Sequence, residues 1–215
     1  MPVQLAESRG EPDLFGHYEE QRKVVVLGAV GSGKTSLVEA GLGLPFKPGY
    51  AQTFGADLYI KKNADARSVP LKIWCCSGQE RTRVLMGQFI QNAAAALIVF
   101  DMLDESTFRE TRFWYNEVRR YVAISKIIRG HIDGLGRKTH VPIELKHRIS
   151  PETIIWLVGA KADDIANVRI RVQDAVHKAT EWNIDFIPTS VVTGKGVGAL
   201  FASLQDAQLR TKTTM

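Results

Sequence analysis

Short apolar runs alternate along the chain with stretches whose apolar residues recur at helical spacing. Lys23-Val24-Val25-Val26-Leu27 is rich in β-branched residues and stops at Gly28. Leu71-Lys72-Ile73-Trp74 alternates apolar and polar positions. The continuous runs at 95–100 and 154–158, Ala95 to Phe100 and Ile154 to Val158, have the pattern of strands buried on both faces of a parallel sheet. Ile184-Asp185-Phe186-Ile187 adds another short strand. Between them the pattern predicts helices over 35–42, 104–122, 168–182 and 198–209. In the second, Phe108, Trp114, Val118, Tyr121 and Val122 fall on one face, and Asp104-Glu105-Ser106 suits a helix start. Alternation of this kind predicts an α/β fold with a central, mostly parallel sheet and helices on both faces, whose ligands bind beyond the carboxyl ends of the strands.

Two stretches interrupt the alternation. Residues 1–21 are polar and aperiodic and read as a flexible extension. Residues 124–152 separate a helix from the next strand by far more than the usual few residues. They are net basic, carry His131, His140 and His147, and include Gly130, Gly134 and Gly136, which argue against one continuous helix. We read them as an exposed basic insertion in a domain spanning 22–210, followed by a short tail at 211–215.

Composition narrows the setting. Lys and Arg number 28 against 23 Asp and Glu, a net charge of +5. That is mild enough to read as a solvated basic face, with no nucleic-acid partner implied. The two cysteines, Cys75 and Cys76, are adjacent. Neighbours in a strand point to opposite faces, so they neither bridge each other nor make a tetrahedral zinc set. The beginning of the chain lacks the order of a secretory signal, Pro2 rules out N-myristoylation, and residues 210–215 offer no cysteine to prenylate. The expectation is a soluble cytoplasmic protein with no direct lipid anchor, monomeric alone or part of a hetero-complex.

The chemistry concentrates at Gly28-Ala29-Val30-Gly31-Ser32-Gly33-Lys34-Thr35, which fits G-x-x-x-x-G-K-[ST] between a strand and a helix. Glycines let backbone amides converge on a phosphate chain, and the following helix, through Ser36, adds its positive end. Lys34 neutralises phosphate oxygens, and the Thr35 hydroxyl can ligate Mg²⁺.

With these residues in place, the chain resembles the Ras superfamily of small GTPases, and its Rab-like branch in particular. The segment Gly49–Leu58, with Thr53, is similar to the first switch. Leu71–Glu80 is similar to L-x-I-W-D-T-A-G-Q-E, Gly159–Asp163 stands at N-K-x-D, and Thr189–Val191 at T-S-A. The resemblance implies a P-loop small GTPase fold with a six-stranded sheet, GTP or GDP as ligand with Mg²⁺ as cofactor, Thr35 and Thr53 on the metal, and Phe46 against the base. Gly78 would donate to the γ-phosphate, and Gln79 would orient the attacking water. Lys161, Asp163, Ser190 and Val191 would frame guanine. It also implies effector or regulatory partners at a switch surface containing Leu58, Trp74 and Phe89, although Trp74 and Phe89 read equally well as sheet packing.

Four departures bear on activity. Cys75 replaces the metal-holding aspartate and should weaken Mg²⁺. Val30 puts an isopropyl group where it crowds Gln79. Ala160 replaces the asparagine of N-K-x-D, and Val191-Val192 replace Ala-Lys. Two readings stay open: a Rab-like switch with slow hydrolysis in trafficking or signalling, and a pseudo-GTPase scaffold with fixed nucleotide or none.

Overall fold

The structure, a computed structural model, describes residues 23–49, 52–62, 70–91, 93–130 and 153–210. The expected N-terminal extension, the C-terminal tail and most of the basic insertion therefore lie outside the described residues. Among those described, strands β1 (Lys23–Leu27), β2 (Ala56–Lys61), β3 (Leu71–Cys76), β4 (Ala95–Asp101), β5 (Ile154–Ala160) and β6 (Asp185–Pro188) form one sheet in the order β2-β3-β1-β4-β5-β6. Only the β2–β3 pair is antiparallel. The α/β architecture expected from the alternating pattern is the one observed.

Among the described residues five helices cover the sheet: α1 (Lys34–Gly41), α2 (Met86–Ile90), α3 (Glu105–Gly130), α4 (Val172–Trp182) and α5 (Val197–Arg210). The period-2 alternation of the strands sorts the core into two layers. Val24 and Val26 of β1, with Leu97 and Val99 of β4, pack against Leu37 and Val38 of α1 and Leu200 and Phe201 of α5. Val25 and Leu27, with Ile98 and Phe100, pack against α2, α3 and α4 through Met86, Trp114 and Ala175. β4 is buried along its whole length, as its unbroken apolar run requires.

The helix expected at 104–122 is longer than its apolar pattern. Asp104 caps it, its carboxylate accepting from the Ser106 amide at 2.8 Å and hydroxyl at 2.7 Å. The helix then continues to Gly130, so residues 124–130, read as the start of an exposed loop, are helical. The glycines that argued for a loop fall at or beyond its end. Three elements carried too little pattern to be expected: edge strand β2, the turn of 3-10 helix at Glu80–Leu85, and α2 directly after it. No helix among the described residues is long and apolar enough to cross a membrane.

Candidate nucleotide site

β1 lies mid-sheet, with β3 on one side and β4 on the other, so the chain leaves it at the point where the strand order reverses. The loop from Gly28 to Gly33 turns there into α1. Gly33 caps that helix in a left-handed conformation, φ 89°, which aims the helix's first amides outward. Beside the loop, β3 ends in Cys76-Ser77-Gly78. A Cβ on Gly78 would run into the Val30 amide nitrogen, so only glycine lets the second switch lie this close to the phosphate loop.

The loop encloses Lys34. Its side chain is buried, and its ammonium donates to the Ala29 carbonyl at 2.6 Å and more weakly to Ser32 Oγ at 3.4 Å. Burial lowers its pKa, because an enclosed charge loses its hydration. No carboxylate bonds it among the described residues. A buried cation held only by a carbonyl and a hydroxyl is a cation in want of an anion.

A cavity of about 510 Å³ opens in front of it. Of the residues singled out from the sequence, Val30, Gly31, Gly33, Lys34, Thr35, Ser36, Phe46, Thr53, Gly78, Gln79 and Lys161 line it. Gly28 and Ser32 stand behind it in the loop. Asp163 is exposed and Ser190 buried, and neither lines this cavity. Val191 lines an adjoining groove that shares Phe46. The two base-reading segments are nonetheless tied together: the Ala162 amide donates to the Thr189 carbonyl at 3.0 Å, and the Thr189 amide to that of Gly159 at 2.7 Å.

Thr35 and Thr53 meet as the resemblance implies, their hydroxyls 3.2 Å apart, with Cys75 Sγ 3.6 Å from Thr35. Gln79 is engaged elsewhere. Arg81 Nε donates to its side-chain carbonyl at 2.6 Å, and its side-chain amide is buried without a partner among the described residues. Lys161, in a left-handed conformation at φ 60°, reaches the buried Asp101 at 2.5 Å. The β4–β5 register explains this, since Asp101 pairs with Ala160 and so lies next to Lys161. Asp101 was missed in the sequence because it sits at the end of an apolar run with no motif around it. Glu39 and Lys47 were missed too; both line the cavity. The i, i+4 spacing of Thr35 and Glu39 on α1 was the available signal for the first.

The family model for Roc, described as Ras of Complex, Roc, domain of DAPkinase, matches residues 23–132, from the start of β1 through α3. The chain belongs to this family. A Roc domain is a GTPase of the Ras superfamily, a GTP-binding, switch-type fold whose members take GTP or GDP with Mg²⁺ and engage effector and regulatory proteins. The resemblance read in the sequence holds at that level. In this Roc chain the phosphate loop, both switches and the first three helices fall inside the matched segment, and the base-reading residues from Lys161 onward fall beyond it.

Proposed function

We propose that this Roc-family chain is a guanine-nucleotide switch of slow turnover, Rab-like in its switch sequences and acting in intracellular trafficking or signalling. The observation that carries nucleotide binding is the buried Lys34 ammonium, without a carboxylate partner among the described residues, at the floor of a cleft lined by phosphate-loop residues. Guanine preference rests on Asp163, whose carboxylate can accept from both N–H donors of guanine and has nothing to accept from adenine in that register.

Slow turnover rests on two features, one in the second switch and one in the phosphate loop. Gln79 orients water through its side-chain carbonyl, the atom that Arg81 occupies. Val30 lines the same cavity as Gln79 and narrows the room for a water or an activator's arginine. Partners would read exposed apolar side chains of the switches, Phe54, Leu58, Val84 and Leu85. Trp74 and Phe89 are half-buried and packed on each other with ring centres 5.2 Å apart, which favours a sheet-packing role for this pair.

Ala160 and Cys75, which remove an amide and a carboxylate from the site, favour the second reading, a scaffold. Denaturing the purified protein and identifying the released nucleotide by chromatography separates the two. GTP supports the slow switch, and GDP a switch that completes turnover. A protein that carries no nucleotide and takes up none supports the scaffold.

A further inference from the structure

The corner of the cleft where the resemblance puts a divalent ion is built from neutral donors. Two hydroxyls, Thr35 and Thr53, and the Cys75 thiol come together there. Cys75 is fully enclosed, with its sulfur against the Thr35 hydroxyl. Mg²⁺ selects hard oxygen ligands, and cysteine sulfur is soft where a carboxylate would be hard. No group of three or more His, Cys, Asp or Glu among the described residues is placed to hold a metal. This donor set does not fit a magnesium ion anchored by the protein.

The cleft carries lysines in its place. Lys34, Lys47 and Lys161 line it against one carboxylate, Glu39. Lys161 is committed to Asp101. Lys34 faces the phosphate loop, and Lys47, exposed at the lip beside Phe46, has no ion pair among the described residues. An ammonium on a phosphate oxygen makes a charge-assisted hydrogen bond, among the stronger non-covalent contacts available to a protein.

We propose that this chain retains its nucleotide without Mg²⁺, the phosphate charge being met by Lys34 and by Lys47 closing from the lip. The inference rests on the nucleotide binding proposed above. Glu39 is the rival: were it to supply the missing carboxylate, retention would depend on the metal.

The test is the dissociation rate of fluorescently labelled GDP from the full chain, in Mg²⁺ and in EDTA. Coupled ligands change each other's affinity by roughly 5- to 150-fold, whereas the wild-type rate here should differ by less than about twofold between the buffers. Lys47→Met should speed release about tenfold in both. Cys75→Asp, where it folds, should acquire a metal dependence of roughly fivefold or more. Wild-type release at least about fivefold faster in EDTA overturns the inference. A Lys47→Met rate equal to wild type overturns the part given to Lys47. Failure to bind in either buffer has a different signature and contradicts the nucleotide reading itself.

Discussion

Arg81 Nε donates a 2.6 Å hydrogen bond to the side-chain carbonyl of Gln79, the group through which a GTPase glutamine steers water. The bond joins residues two apart, in the bend entering the 3-10 turn at Glu80–Leu85, so local geometry alone brings them together. On the switch reading proposed above, hydrolysis would need that carbonyl free.

Arg81→Met therefore releases a brake. A hydrogen bond to a charged group is worth about 1.5–3 kcal/mol, and this one is exposed, so the lower end applies and single-turnover GTP hydrolysis should rise roughly tenfold. Combining the substitution with Gln79→Leu should cancel the gain. An unchanged or slower rate in the single variant contradicts this role.

Arg83 anchors the same switch. It pairs with Glu110 of α3 at 2.5 Å and lies over the Phe113 and Trp114 rings at 4.5 and 5.6 Å. A partly exposed ion pair with aromatic support is worth about 1–2 kcal/mol. Arg83→Ala should lower unfolding stability by that amount and increase amide exchange over residues 80–90. Equal stability and exchange would show the contact to be incidental.

The Lys161–Asp101 pair joins the end of β4 to the residue that follows β5. Asp101 also accepts from the Leu103 amide at 2.9 Å, so its carboxylate stays fixed when the lysine is removed. Because the lysine side chain is half exposed, Lys161→Met should cost about 1–2 kcal/mol, less than the loss of a fully buried pair. Denaturant unfolding measures this, and a change within about 0.3 kcal/mol refutes it.

The cysteines make a prediction about pH. Burial pushes Cys76 up to about 12 from an ordinary 9.0, and raises Cys75 as well. In the window between those values the folded thiol keeps its proton while the unfolded one loses it. The cysteines' contribution to stability is thus undiminished below pH 9 and declines as pH rises toward 12. At pH 8 a thiol reagent should find neither cysteine in the folded protein and both after denaturation. Flattening of the alkaline decline in Cys76→Ala would confirm the assignment, whereas rapid labelling of the native protein would contradict it.

The sheet and its loops were legible because patterns repeated over several residues carried them: the apolar runs at 95–100 and 154–158, and the G-x-x-x-x-G-K-T stretch. β2 was not, since an edge strand with exposed Leu58 and Ile60 lacks a clean inside and outside. The far end of α3 was not, because Gly130 and the following glycines masked where the helix stops. Within the site, motif spacing brought Lys34, Thr35, Thr53, Gly78 and Gln79 to one cavity. It could not reveal Arg81 on Gln79 or Asp101 under Lys161, which depend on side-chain direction and sheet register rather than on any run of residues.

Nucleotide binding stands or falls with the phosphate loop, and the sharpest test is titration of labelled GDP into the purified protein, with Lys34→Met beside it. Wild type should bind saturably and one-to-one, and the variant about 100-fold or more weaker. No saturation by the wild-type protein, or equal binding by both, would contradict it.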